Sequence, residues 1–421
     1  VDFRSPNEGA EFTVFNTTFD HCSGNADSTT GVCVKNDNPQ NTIIISECQF
    51  KDCFHSGCSI ATIQSENTII EYSNFSFSSN EYDKACGAIN VNNEKVTIQY
   101  NSFISCANNV IEASESTITD LTQPVFNMIY NIFTSCNPVN NANLTNKCYT
   151  WKFTFNSYPV ISHNIVEDII YPDYYFMIKA KANYLCFDNN TFQNLHLGGS
   201  YGGGLSPWFT GSNDEFTMEF KDCKFYNNEA TKRTSKIENY PYIQGGAFQW
   251  TQSTANCKIT FDGCQFKGNT APNEGGAIAL EVNKNIVIQN CYFENNSGSK
   301  GGAIYIYPDY PISHTSKTEQ ILIHNCEFNS NIATEGNAIY VDKGDSTTLS
   351  ITSCIFKDEK IQNTQGLGYF IVGGCKSINN NNLSFSTTSG KIDGALYIKG
   401  SSSISIDDFN ISGSTNNCIK L

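Results

Sequence analysis

Hydrophobic positions along this chain alternate in short bursts and never fall into helical arcs. Pairs such as Ile43/Ile45, Val96/Ile98, Met218/Phe220, Ile259/Phe261, Ile321/Ile323 and Leu349/Ile351 lie two residues apart. That is the period of a strand with one buried face. Five residues after the second member of each pair stands a Phe, and two residues before that Phe many copies carry Cys: Cys48, Cys223, Cys264, Cys291, Cys326 and Cys354. The alternation therefore changes phase by one residue between the pair and the Cys-x-Phe. One continuous strand cannot bury both sets, so a bend must separate two short strands. A polar turn follows, and Gly-Gly-Ala-Ile with renewed alternation at Ile304 and Ile306 supplies a third strand.

The unit recurs along the chain. Anchors at Phe19, Phe50, Phe77, Phe103, Phe133, Val166, Phe192, Phe225, Phe266, Phe293, Phe328, Phe356, Phe385 and Ile411 are spaced by about thirty residues. Three short strands per unit predict an all-β fold, a single-stranded right-handed parallel β-helix of the pectate-lyase type with about fourteen coils. Residues 1–11 lack the pattern and are expected to cap the helix formed by 12–421. Insertions are expected near 137–149, 194–207 and 229–244. The last of these carries Lys232, Arg233 and Lys236, a basic spot on an acidic chain, read as a solvated loop or a contact for an acidic partner.

In such a coil, equivalent residues stack into columns. Three residues after the anchor come Asn80, Asn228, Asn269, Asn296 and Asn331, predicted to form a structural asparagine ladder that satisfies buried backbone groups. In the N-terminal coils the same column holds Cys22, Cys53, Cys106 and Cys136. The six cysteines two before the anchor read as a column of buried thiols acting as small hydrophobes, with disulfides between coils as the alternative. Cys33, Cys58 and Cys86 recur near the glycine corner of the first coils and are candidate disulfide partners. His21, Cys22, Cys48, Cys53, His55 and Cys58 fall within two coils, but their spacing matches no zinc-finger pattern. No metal and no cofactor is expected.

The alternation of Phe-x-x-Asn (Phe77–Asn80, Phe225–Asn228, Phe266–Asn269, Phe293–Asn296, Phe328–Asn331) with Gly-Gly-Ala-Ile (Gly275–Ile278, Gly301–Ile304) resembles the polymorphic membrane proteins of chlamydiae and their relatives in trichomonads. The resemblance is densest over 216–345. It implies a right-handed β-helix on a cell surface, acting in adhesion.

Composition narrows the partners. The chain has 41 acidic and 26 basic groups, a net charge of −15 and only two arginines, Arg4 and Arg233. Nucleic acid and other polyanions are poor partners for such a surface. No apolar run approaches the roughly 20 residues that span a bilayer, so no membrane span is expected. The chain opens at Val1, as a mature secreted product or a trimmed fragment would. An extracellular or cell-surface location is expected. Sequons at Asn16, Asn74, Asn143, Asn189, Asn295, Asn382 and Asn410 are then candidate N-glycosylation sites.

No catalytic set emerges. Asp407-Asp408 is the sole adjacent Asp pair, no Gly-His-Gly or Arg-x-Lys is present, and the six histidines are scattered. A glycoside hydrolase needs two opposed carboxylates, and none is singled out. Trp151 and Trp250 share the phase of buried residues and read as core. Tyr305, Tyr340 and Tyr397 each follow a buried residue and point outward; with Phe370 they form a candidate exposed aromatic stripe. Same-face stacking that stabilises the sheet is the competing reading. The expected function is binding of a protein or glycan partner. A polysaccharide-active enzyme (glycoside hydrolase or lyase) and a structural rod, self-associating through the edges of its end coils, are the alternatives.

Overall fold

The computed structural model describes residues 2–3, 9–22, 33–53, 59–77, 87–93, 95–106, 110–115, 126–136, 151–154, 159–171, 176–181, 184–198, 205–209, 216–231, 244–250, 257–281, 285–307, 319–342, 344–358, 360–361, 370–373, 375–392, 395–399, 403–415 and 419–420. Among these residues every element is a strand and the pairings are parallel, each strand lying on its equivalent in the next coil. The chain is an all-β parallel solenoid. Its regular turns number about eight, of about 29 residues, not fourteen; segments of unequal length between the strands break the regular spacing of the others. Contacts cluster into two compact units, one mainly Val1–Tyr171 with Phe176–Thr191, the other mainly Phe192–Ser206 with Asn213–Leu421.

In the first unit, Thr42–Ser46, Gln49–Lys51 and Ser59–Ile63 make up one coil. The phase change seen in the sequence has a simple cause. The residue three before each anchor is left-handed (Glu47 φ 56°, Tyr100 φ 55°, Asp222 φ 51°, Asn290 φ 55°), and in most coils so is the residue two after it (Asp52, Ser105, Asn227, Asn295). Each left-handed residue ends one short strand and turns the next side chain inward, so in most coils two corners flank the short anchor strand. In the second unit a third corner is built on glycine. Gly275 and Gly301 have positive φ, and a Cβ on Gly276 would collide with the carbonyl oxygen of Gly302 in the next coil.

The anchors form a column of stacked rings. Phe19, Phe50, Phe75, Phe103 and Phe133 lie 4.6 to 5.0 Å apart in the first unit. Phe225, Phe266, Phe293, Phe328, Phe356 and Phe385 do the same at 4.7 to 4.9 Å in the second. The third anchor is Phe75 and not Phe77, since Phe75 pairs with both Phe50 and Phe103. Asp2–Phe3, within the segment expected to cap the helix, pairs in parallel with Lys35–Asn36. Of the expected insertions, 137–149 lies outside the described residues. His196–Leu197 and Glu229–Ala230, at the start of the other two, pair as short strands. Lys232, Arg233 and Lys236 lie outside the described residues.

Candidate functional site

Both corners of a coil hold an inward polar ladder, and the two units use them in opposite ways. In the second unit the column after the anchor is asparagine. Asn269 Nδ2 donates to Phe225 O (2.9 Å) and to Asn296 Oδ1 (2.9 Å), and that oxygen also accepts the Asn269 backbone N–H (3.0 Å). Asn228, Asn296 and Asn331 continue the same ladder; Asn80 lies outside the described residues. The column before the anchor there is Cys223, Cys264, Cys291, Cys326 and Cys354, all buried thiols. Cys264 donates to Phe220 O at 3.3 Å and Cys291 to Phe261 O at 3.5 Å. Burial holds both thiols far above the usual value.

In the first unit the arrangement is reversed. Cysteine follows the anchor at Cys53, Cys106 and Cys136. Before the anchor, after Cys48 and Ser73, runs a second ladder: Asn101, Asn131, Asn164 and Asn190. The sequence reading missed this ladder, although the four asparagines share one place in the repeat. Cys33 was grouped with Cys58 and Cys86; its sulfur instead lies within 4.8 Å of those of Cys22 and Cys53. Cys58 and Cys86 lie outside the described residues.

The aromatic stripe also needs correction. Tyr305 pairs with Tyr340, Tyr340 with Ile371, and Ile371 with Tyr397. Phe370 pairs with the buried Ile339, so Ile371 and not Phe370 occupies the column. Nor is the column openly exposed: Tyr305 is only 6% accessible, and Tyr340 and Tyr397 are half-buried. Around it lie Gln249, Glu281 and Asp342 with Glu274 and Lys300. Glu274 accepts from Gln244 Nε2 at 3.2 Å, and Lys300 Nζ sits 5.1 Å from the Tyr340 ring centre. Burial raises the Glu274 carboxyl above its usual value. Burial, with Asp342 and Glu335 nearby, pushes the Tyr340 hydroxyl up to about 12. Trp151 and Trp250 are fully buried in the core.

The exposed aromatic surface is elsewhere. Tyr72, Tyr100 and Tyr130 occupy the corner before the anchor in three successive coils of the first unit, and His163 continues them. Tyr72 and Tyr100 stack at 5.0 Å with planes 1° apart, Tyr100 and Tyr130 at 5.1 Å and 5°. His163 lies 4.7 Å from Tyr130, tilted by 37°. The three tyrosines are 56%, 44% and 45% accessible, with exposed Ile104 and Ile132 on the adjoining strands. Because the rings lie face to face, their edges and hydroxyls meet solvent while their inner faces are covered. At the same corner other coils carry Asn16, Asn189, Asp222, Gly263, Asn290, Asn325, Ser353, Asn382 and Asp408, small polar residues or glycine suited to positive φ.

Among the sequons, Asn16, Asn189, Asn295, Asn382 and Asn410 are exposed, and the first four stand at left-handed corners. Asn74 is half-buried and accepts from Ser102 Oγ at 2.7 Å; Asn143 lies outside the described residues. Asp407 and Asp408 are exposed in the last coil.

Residues 263–281 and 290–307 each run from the anchor strand through the asparagine turn to the end of the Gly-Gly-Ala-Ile strand, and both match the Chlamydia polymorphic membrane protein (Chlamydia_PMP) repeat. These two coils resemble Pmp repeats. No curated protein and no solved structure has significant similarity to the chain. The Pmp tetrapeptides have a physical meaning here. The Phe is the stacked anchor, the Asn is the ladder, and the glycines form the corner where adjacent coils approach most closely.

Proposed function

We propose that the protein is an extracellular or cell-surface binding protein that engages a protein partner through the ladder Tyr72–Tyr100–Tyr130. The observation that carries the reading is three bulky rings at left-handed corners, exposed and in register. A left-handed backbone costs about 1–2 kcal/mol per non-glycine residue, and each stacked ring contact returns about 0.5–1.5 kcal/mol. Stacking therefore roughly balances the strain and leaves little net gain over the small polar residues that fill this corner elsewhere. Bulky exposed rings kept at strained corners for little net stability mark a candidate contact surface. Stacking covers the ring faces between neighbours, and the edges, hydroxyls and adjacent isoleucines that meet solvent suit a protein surface. The Pmp repeat supports a surface location, since its family is one of surface proteins. The net charge of −15 favours a neutral or basic partner.

A panel of immobilised cell-surface proteins and glycans tests this. Binding to one or more proteins is expected, at least about tenfold weaker for the triple variant Tyr72→Ser/Tyr100→Ser/Tyr130→Ser. Protein binding that the triple variant retains, or binding to glycans alone, overturns it.

One observation favours a second reading, a polysaccharide-active enzyme. Glu274, its carboxyl raised by burial, shares the outer face of the second unit with Asp342 and three tyrosines, Tyr305, Tyr307 and Tyr340. A carboxyl whose pKa burial raises, near another carboxylate, has the direction of shift that a general acid requires. Product analysis on neutral polysaccharides, with Glu274→Gln as control, decides this reading: release of oligosaccharides by the wild type alone supports it.

A further inference from the structure

The cysteine column after the anchor needs only stacked thiols, each donating to a carbonyl of the coil before. Cys106 and Cys136 follow that pattern, at 3.4 Å from Phe75 O and 3.3 Å from Phe103 O. Cys22 and Cys53 begin the same column in the first two coils, since their anchors Phe19 and Phe50 are paired. At this place a third thiol is added. Cys33 enters from the start of the strand Val34–Asn36, across the turn, and the three sulfurs lie within 4.8 Å of one another. Cys33 and Cys53 are buried, and Cys22 is only partly so. The pocket of sulfur thus has dry walls and one wet edge. At that edge the left-handed corners carry His21 and Asp52, and with Asp20 their donor atoms form a second group within 4.8 Å.

We propose that Cys22, Cys33 and Cys53 form a tris-thiolate site for one thiophilic d10 cation, Zn(II) or Cu(I). Metal–sulfur bonds of about 2.3 Å place three thiolates about 3.8–4.0 Å apart, a contraction the present cluster reaches by side-chain rotation. Binding is a ligand exchange without electron transfer: the thiols lose their protons to solvent and three metal–sulfur bonds replace three bonds from metal to water or chelator. Soft thiolates select such ions over magnesium or calcium. The carboxylates of exposed Asp20 and half-buried Asp52 draw the cation to the open edge, and the position left over on zinc faces solvent there. This departs from the absence of metal expected from the sequence, where cysteine spacing was read along the chain. The three thiols come together between coils and across a turn.

The reduced full chain, freed of metal, is titrated anaerobically with Zn(II) and, separately, with Cu(I) against a competing chelator. One equivalent of at least one ion is expected to bind. Cys22→Ser, Cys33→Ser and Cys53→Ser should each weaken that binding more than about 100-fold, and Cys136→Ser should leave it unchanged. Because a variant can fail to fold, alkylation mapping is done on the wild type as well. Bound metal should protect Cys22, Cys33 and Cys53 together, while the labelling of Cys136 stays as it was. Failure to bind either ion, binding retained by Cys33→Ser, or protection of other thiols alone overturns the proposal. So does a disulfide within the trio in protein whose reduced form takes up no metal.

Discussion

Replacing Asn131 by Ala tests the ladder that the structure adds to the sequence reading. Asn131 Oδ1 accepts the backbone N–H and the side-chain Nδ2 of Asn101, both at 3.1 Å. Its own Nδ2 donates to Ile98 O at 2.8 Å and to Asn164 Oδ1 at 3.0 Å. All of this is buried. Truncation leaves the Asn101 N–H without a partner, at about 1–3 kcal/mol, and removes three further bonds with a net value of about 0.5–1.5 kcal/mol each. The expected loss is about 2.5–7.5 kcal/mol, measured by urea unfolding followed by far-ultraviolet circular dichroism. Cys264→Ala, at a thiol with weak hydrogen bonds to Phe220 O, Asp262 O and the neighbouring thiols Cys223 and Cys291, should cost less. Asn131→Asp adds a check on mechanism. The carboxylate keeps the acceptor for Asn101 but faces Ile98 O and Asn164 Oδ1, so burial and these acceptors raise its pKa. Stability of that variant should be greatest at low pH and fall as pH rises. A loss below about 1 kcal/mol for Asn131→Ala, or a pH-independent Asn131→Asp, refutes the reasoning.

Two further outcomes follow from the core and from the acidic face of the second unit. Phe293, stacked between Phe266 and Phe328 at 4.8 and 4.9 Å and fully buried, should cost about 3–5 kcal/mol on truncation to Ala, read by the same unfolding assay. Burial raises the folded-state pKa of Glu274 above its ordinary 4.5, so its contribution to stability is complete below that value and is lost as pH rises through the folded one. Wild type should therefore lose stability relative to Glu274→Gln on going from pH 4 to neutrality; a constant difference contradicts the assignment.

The coil was legible because its cause is periodic: a buried Phe once per turn, an Ile pair five residues before it, and a phase change between them. What escaped was register wherever two residues compete for one place. Asn74-Phe75-Ser76-Phe77 offers two phenylalanines of equal phase, and only pairing with Phe50 and Phe103 selects Phe75. Phe370 and Ile371 were confused for a related reason, since the segment before them carries no anchor to count from. The ladders Asn101–Asn190 and Tyr72–Tyr130 could have been found by aligning the positions before the anchor, as Phe-x-x-Asn was found after it. The grouping of Cys33 with Cys22 and Cys53 could not, because no spacing in the sequence tells which way the turn closes.

Tyr100→Asn, with partner binding and unfolding measured on the same protein, tests whether the tyrosine ladder is a contact surface kept at the expense of backbone strain. Asparagine tolerates the left-handed corner that it already fills in other coils, so the loss of two ring contacts, about 0.5–1.5 kcal/mol each, is largely offset by relief of about 1–2 kcal/mol. The prediction is stability unchanged to within about 1 kcal/mol, together with weakened binding. A variant that binds as well as wild type but unfolds more easily would make the ladder a structural brace and contradict the account.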